Sequence, residues 1–182
     1  MKIKALLLAS VMVAGLLVGC GSKQSAPAQA PAPKADATAS ASVTSDPDVF
    51  TKAISKDGKW IIAITKDMTL DKDLVLEGEF KNGKKDDSGK ELLQRKLALY
   101  TQDDNRNITN RFTLTAPKLT IESPQASIEH GTFKGDLYVD TNDFKLIDAK
   151  IDGNVYFKDD AAKSGFNMDS TSSVTGKQEV KK

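Results

Sequence analysis

After residue 59 the apolar residues change from helical spacing to a period of two. Trp60, Ile62 and Ile64 alternate with Ile61, Ala63 and Thr65, and short apolar segments follow at 74–76, 97–100 and 112–114. A period of two places successive side chains on opposite faces of a β-strand, so that one face can be buried. The pattern therefore predicts a mainly β domain.

A helix is predicted immediately before the first strand. Its apolar residues recur at helical spacing, at Val49, Phe50, Ala53 and Ile54. Ser45 or Asp46 can cap its N-terminus, and Pro47 suits its first position. Gly58 is expected to end it in a left-handed conformation. This helix of about nine residues has one face to bury.

The second half of the chain contains a repeat with a period of 18 residues. Residues 133–139 (Phe-Lys-Gly-Asp-Leu-Tyr-Val) align without gaps with residues 151–157 (Ile-Asp-Gly-Asn-Val-Tyr-Phe). Upstream, Ile128 aligns with Leu146. The alignment predicts two inward columns of apolar side chains, one of Leu119, Leu137 and Val155 and the other of Ile121, Val139 and Phe157. It also predicts one outward polar column of Lys118, Asp136 and Asn154.

Repeats of this kind bury a continuous core only when they stack on one another. About 18 residues suit one coil of a parallel β-helix, and Gly135 and Gly153 fall at equivalent corners. We therefore expect a small, single-stranded, right-handed parallel β-helix with a short N-terminal capping helix. An antiparallel sheet with similar hairpins is the alternative.

Less regular segments complete this expectation. The strands at 74–76, 97–99 and 119–121 are expected to lie on successive coils, with 81–90 as a solvated loop between two of them. Residues 91–95 are expected to form a helical turn. Phe166 and Met168 are expected to close the C-terminal end. The polar tail from Thr171 is expected to be frayed, unless Val174 and Val180 add an edge strand.

The repeated Gly-Asp-Leu-Tyr-Val and Gly-Asn-Val-Tyr-Phe segments resemble coils of bactofilin-like and pectate-lyase-like right-handed β-helices. The resemblance covers residues 118–158. Pectate-lyase-like enzymes use clustered carboxylates and an arginine. The resemblance thus implies that the aspartates at 136, 140, 148 and 152, with Arg106 or Arg111, could form a polysaccharide-cleaving site.

The N-terminus indicates where the protein works. Lys2 and Lys4 precede an apolar run that ends in Leu17-Val18-Gly19-Cys20, the order of a secretory signal. A cysteine at this place resembles the lipobox of bacterial lipoproteins, and the whole layout resembles Gram-positive surface lipoproteins. The resemblance implies cleavage before Cys20 and a lipid on its thiol. An uncleaved membrane anchor is the alternative, but the run is shorter than the roughly 20 residues of a spanning helix.

These features divide the chain into three parts. Residues 1–19 are the predicted signal peptide, and residues 20–45 are a predicted disordered tether rich in Ala, Pro and Ser. Residues 46–182, about 135 residues, suit one domain. Loss of Lys2 and Lys4 would change the formal charge from +1 to −1, so no nucleic-acid partner is expected.

Few residues of the sequence are candidates for catalysis or metal binding. Lipidation of Cys20 would leave no free thiol, and one histidine cannot build a multi-histidine metal site. We therefore expect no cofactor and no metal. His130 has no serine or cysteine partner and suits a turn. Residues 103–107 space oxygens as a calcium loop does, but Ile108 and Leu114 stand where that loop needs Gly and Glu, which favours a solvated turn.

The most suggestive exposed residues are aromatic. Tyr138 and Tyr156 occupy equivalent outward positions of the repeat, with Thr120 one coil earlier. Their rings are expected to stack, either to stabilise the sheet or as a flat platform for a sugar or a partner chain.

The sequence thus favours a lipid-anchored protein on the extracytoplasmic face of the cell membrane. Its expected role is non-enzymatic binding or scaffolding in the cell envelope, with a cell-wall glycan or another surface protein as partner. Whether the protein is an enzyme stays open, and a polysaccharide-active β-helix lyase or hydrolase is the alternative.

Replacing Cys20 with alanine should release the protein from membranes or leave it unprocessed, because a lipid on this thiol is the expected anchor. Membrane fractionation and intact-mass analysis check this. An unmodified Cys20 on mature, membrane-bound protein would contradict it.

Overall fold

The computed structural model describes residues 41–181. The predicted signal peptide, Cys20 and the tether up to residue 40 lie outside the described residues. The fold is mainly β, as the period of two predicts.

Most strands belong to two larger sheets with parallel pairing. The first sheet, in spatial order, contains β1 (Ala41–Thr44), β2 (Ile61–Ile64), β7 (Arg95–Ala98), β11 (Ala126–Glu129), β13 (Lys145–Ile147) and β16 (Asn167–Met168). The second sheet contains β3 (Met68–Thr69), β4 (Leu74–Leu76), β10 (Thr113–Ile121), β12 (Thr132–Val139), β14 (Lys150–Asp152), β15 (Val155–Phe157), β17 (Ser173–Val174) and β18 (Gln178–Val180). From β2 onward the chain passes repeatedly from the first sheet to the second.

Two antiparallel hairpins and two short helices complete the described residues. The hairpins are β5 (Lys81–Lys85) with β6 (Glu91–Leu93), and β8 (Tyr100–Gln102) with β9 (Ile108–Arg111). The helices are α1 (Pro47–Ala53) and α2 (Asp160–Gly165).

The repeat segments pair in parallel at the predicted register. Leu119 lies opposite Leu137, which lies opposite Val155, and Ile128 lies opposite Leu146. All of these side chains are buried, and they belong to one hydrophobic core to which both sheets contribute. The outward column of Lys118, Asp136 and Asn154 is half-exposed, as the repeat predicts.

Glycine is required at one corner of the stack because neighbouring backbones approach closely there. A Cβ on Gly153 would overlap the carbonyl oxygen of Gly135, and a Cβ on Gly135 would overlap that of Ala116. Gly135 also has a φ of +142°, which L side chains rarely adopt. The predicted equivalence of Gly135 and Gly153 is therefore confirmed.

Helix α1 forms as predicted, but it ends differently. The Asp46 carboxylate accepts hydrogen bonds from the backbone N–H groups of Asp48 and Val49, at 2.8 and 3.1 Å. The C-cap is Ile54, in an ordinary right-handed conformation. Gly58 is needed for a different reason from the predicted one, because a Cβ there would overlap the carbonyl oxygen of Ala53.

A fully buried arginine connects this helix to the first sheet through hydrogen bonds. Arg95 opens β7, and its guanidinium donates to the carbonyl oxygens of Lys59, Ala53 and Ser55 at 2.7–2.9 Å. The guanidinium carbon lies 3.8 Å from the ring centroid of Phe80. Burial lowers the pKa of Arg95 to about 10, so the group remains charged at neutral pH.

Three expectations about the first half were wrong. The strands at 74–76 and 97–99 are not neighbours, because Leu74 pairs with Leu119 in the second sheet while Leu97 lies between Ile62 and Ile128 in the first. The expected loop at 81–90 contains β5 and the turn of a hairpin. The expected helical turn at 91–95 is extended, because β6 and the first residue of β7 fall there.

The two ends of the domain also differ from expectation. Residues 41–44, assigned to the tether by composition, form β1 and pair with β2. At the other end, β17 and β18 pair with β14 and β15, so Val174 and Val180 lie in strands, which is the alternative to the expected frayed tail. Phe166 packs against Phe144 and Phe157, whereas Met168 stays 40% exposed.

Truncating an inward residue of the repeat should destabilise the domain far more than truncating an outward one. Leu137→Ala should cost roughly 2–5 kcal/mol, because it leaves a cavity in the shared core. The exposed Lys134→Ala serves as the control and should cost less than about 0.5 kcal/mol. Denaturant unfolding measures both, and equal losses would contradict the register.

Candidate functional site

The parallel register of β12 and β15 brings the two predicted tyrosines together. Tyr138 lies directly opposite Tyr156, and Thr120 lies opposite Tyr138 on the preceding strand. The ring centroids are 4.9 Å apart, and the ring planes are inclined by 38°. Each ring therefore covers part of the other's face, so the pair is a tilted stack rather than the expected flat platform.

Lysine side chains surround this stack. The Lys181 ammonium lies 4.5 Å from the Tyr138 ring centroid and 3.4 Å from the Tyr138 hydroxyl oxygen. The Lys118 ammonium lies 5.6 Å from the same centroid and forms an ion pair with Asp73 at 2.7 Å. Cations over an aromatic face are attracted by the electron density of the ring, so these contacts hold positive charge beside Tyr138.

The tyrosines border an open concavity of about 360 Å³. Thr120, Asp140 and Lys158 also line it, as does Lys181. Lys158 donates to the carbonyl oxygen of Asp140 at 3.2 Å and lies 3.6 Å from its carboxylate. We call Tyr138, Tyr156, Lys158 and Lys181 the tyrosine surface.

The tyrosine surface is equipped to donate hydrogen bonds. Burial raises the pKa of Tyr156, and the negative charge of Asp136 raises it further. Its hydroxyl therefore stays protonated at neutral pH. Phenolic hydroxyls, ammonium groups and partly exposed rings together suit an oxygen-rich ligand that presents acceptors and an apolar face, as sugars do.

A second polar cluster lies around His130. It joins Asp148 and Arg111, which the predicted cleavage site included, to a histidine that the predicted site did not include. His130 was expected to lack a serine or cysteine partner, and its contact is instead a carboxylate: His130 Nδ1 lies 3.0 Å from Asp148 Oδ2. Arg111 Nη2 donates to the same oxygen at 2.5 Å, and the Tyr100 ring meets the imidazole edge-on at 4.6 Å. The repeat carried a signal for this pair, because His130 and Asp148 are 18 residues apart.

This cluster fits a structural role at a corner of the chain. His130 and Asp148 have φ angles of 59° and 49°, so both occupy left-handed turns, as expected for His130. The hydrogen bond from His130 lowers the pKa of Asp148, and the one from Arg111 lowers it further. The carboxylate is thus held ionised and oriented toward its two donors.

The other aspartates considered for catalysis have separate local contacts. Asp136 accepts two hydrogen bonds from Asn154, at 3.1 and 3.0 Å, and Asp152 lies 3.7 Å from Lys150. Asp103 binds the backbone N–H groups of Asn105 and Asn107, as in the expected solvated turn. Over residues 41–181, no group of three His, Cys, Asp or Glu side chains is placed to hold a metal ion.

Comparison with protein-family models, with curated proteins and with solved structures finds no match to this chain. Within the described part of the chain, neither helix has the length and apolar character needed to cross a membrane.

Acidification should reduce the contribution of Asp148 to the stability of the folded state. A carboxylate whose pKa is lowered by folding stabilises the folded state above its unfolded pKa, near 3.9, and this contribution is lost as pH falls through the lower folded pKa. Asp148→Asn keeps a residue that tolerates the left-handed turn. It should cost about 1 kcal/mol at neutral pH and progressively less below pH 4.

Urea unfolding between neutral and strongly acidic pH measures this effect. Asp143→Asn is the matched control, because Asp143 also has a positive φ, of 61°, but contacts the neutral amide of Gln125. Equal, pH-independent losses in the two variants would show that the Asp148 charge contributes nothing.

Proposed function

We propose that this protein is a lipid-anchored, extracytoplasmic binding module of the cell envelope without enzymatic activity. The lipobox-like Leu17-Val18-Gly19-Cys20 supports the anchor, and the Ala-, Pro- and Ser-rich composition after it supports a tether. The observation that carries the binding role is the tyrosine surface, a paired aromatic stack with phenolic and ammonium donors beside an open concavity.

We further propose that the two parallel sheets are faces of one small right-handed β-helix, capped at its N-terminal end by α1. The in-register parallel pairing of β10, β12 and β15 supports successive coils. The shared core supports their closure around one interior. Right-handed crossovers between parallel strands are the general rule, which favours this hand.

A glycan of the cell wall is the ligand that the tyrosine surface fits best. Sugar rings pair an apolar face with many hydroxyl acceptors, and the surface offers ring area together with phenolic and ammonium donors. Tyrosine supplies this area at a small entropic cost, because it has few rotatable bonds. A partner protein would contact the same groups of the tyrosine surface. The binding assay below distinguishes a glycan ligand from a protein partner.

The alternative, a polysaccharide-active enzyme, has less support. Glycoside hydrolysis commonly uses two carboxyl groups on either side of the scissile bond. The carboxylates of Asp136, Asp148 and Asp152 each contact a different side chain instead, namely Asn154, Arg111 and Lys150. Binding without cleavage is therefore the favoured function.

Removal of both tyrosines should abolish glycan binding. Tyr138→Ser/Tyr156→Ser should weaken retention on purified cell-wall glycan at least tenfold, with little change in melting temperature, because both rings are half-exposed. A co-sedimentation assay measures retention, and calorimetry measures melting. The exposed Lys134→Ser is the control.

A second variant keeps the test informative if the first unfolds. Tyr138→Phe/Tyr156→Phe retains the stacked rings and removes only the hydroxyls, and it should weaken binding severalfold. Unchanged retention in both folded variants would refute the proposal. Retention on a surface protein but not on glycan would make a protein the partner.

A further inference from the structure

A larger cleft, of about 560 Å³, lies beside the first sheet. One wall is the hairpin of β5 and β6, represented by Lys90, Leu92 and Gln94. The other is the outward side of β11 and β13, represented by Ser127, Glu129 and Lys145. This cleft shares no lining residue with the concavity of the tyrosine surface.

The charge at the base of the cleft is already neutralised. Glu129 is 5% exposed, and its two carboxylate oxygens have different partners. The Ser127 hydroxyl donates to one at 2.8 Å, and the Lys96 ammonium lies 2.7 Å from the other. A ligand therefore need not supply a cation to compensate this buried carboxylate.

The hairpin presents a strand edge along the cleft. Residues 91–94, which include all of β6, line the cleft, whereas Asn82 is the contribution of β5. Among the described residues β6 pairs with β5 alone, so its second edge has no strand beside it. Unpaired backbone donors and acceptors on such an edge can receive an additional strand. Leu92, 38% exposed, adds apolar surface there.

The rim of the cleft carries a small excess of positive charge. Lys90 and Lys145 line it, and neither forms a salt bridge within residues 41–181. Glu91 and Glu129 pair with Lys81 and Lys96, and the charge of the Asp86 carboxylate, which also lines the cleft, attracts Lys90. Lys145 thus leaves one positive charge in excess, which favours a ligand with negative charge.

We propose that this cleft binds an extended acidic peptide, which adds a strand to the free edge of β6 and places carboxylates near Lys90 and Lys145. Asn82 donates to Gln94 at 3.0 Å and Gln125 donates to Asp143 at 2.9 Å, and each of these three amides keeps at least one further hydrogen for a peptide carbonyl. The residues that line the cleft include no aromatic ring on which a sugar could stack, and this distinguishes the cleft from the tyrosine surface. The two sites are independent, so either proposal can fail alone.

The proposal is tested with the full chain in detergent and the peptide acetyl-Glu-Val-Glu-Val-Glu-amide. Amide chemical shifts should change in residues 90–94 and 125–129 on titration. Methylating the backbone nitrogens of the two valines should weaken binding at least tenfold, because strand addition needs those donors. Replacing each Glu of the peptide with Lys should weaken it to a similar extent.

Charge reversal on the protein provides the second arm. Lys90→Glu/Lys145→Glu should weaken binding of the acidic peptide about tenfold or more. Lys72→Glu/Lys134→Glu changes the charge equally at exposed positions outside the cleft and should leave affinity within twofold. Both variants should keep the melting temperature, because all four side chains are exposed.

Several results would overturn the proposal. They are the absence of shifts at millimolar peptide, shifts confined to the tyrosine surface, or an affinity that neither N-methylation nor the Lys90/Lys145 variant reduces. A chitin oligosaccharide that shifts the same amides more strongly than the peptide would make the cleft a glycan site, and it would equally refute peptide binding.

Discussion

In-register parallel stacking is the constraint on which the rest of this structure depends. When strands pair at a fixed register, each position becomes a column that runs through successive strands, and every member of a column meets nearly the same surroundings. The column of Leu119, Leu137 and Val155 is buried throughout. The column through Gly135 and Gly153 admits no Cβ, because the backbone of the neighbouring strand occupies that space. A single residue of the wrong size therefore disturbs its neighbours on both sides.

The same constraint explains the polar corners. A chain that turns sharply between the two sheets requires left-handed residues, which cost conformational energy unless they are glycine. Here His130 and Asp148 stand at one such corner, and Gln125 and Asp143 at another, all with positive φ. Each pair is joined by a side-chain hydrogen bond, at 3.0 and 2.9 Å. Stacking thus brings together polar side chains that offset part of the strain of their own backbones.

The sequence allowed the repeat to be predicted but not the insertions. Apolar columns repeat in chemistry, so Ile128 and Leu146 could be aligned correctly. Alternation alone does not tell which sheet a strand joins, and Leu97 was therefore placed beside Leu74 although it belongs to the other sheet.

The hairpin at 81–93 was missed because its strands are polar and exposed. Arg95, the fully buried anchor of α1, was missed because residues 91–95 were assigned to a helical turn, where a charged residue suggests a solvated face. Of the candidate sites, the tyrosine pair followed from the repeat. The His130–Asp148 pair obeys the same spacing but was overlooked because His130 was assigned to a turn and not compared with the residue 18 positions later.

The regular and irregular parts of the chain produce different kinds of surface. The tyrosine surface arises on regular strands, where identical positions place identical side chains side by side, so its geometry is tied to the core register. The cleft under the β5–β6 hairpin arises from an insertion, whose strands contribute little to the core and whose residues are mostly exposed. Loop insertions cost little free energy as they lengthen. The hairpin wall of the cleft can therefore change in sequence and length without affecting the core, whereas the wall on β11 and β13 and the tyrosine surface cannot. A domain built in this way has one surface that is fixed by its core and a second that can vary with the insertion.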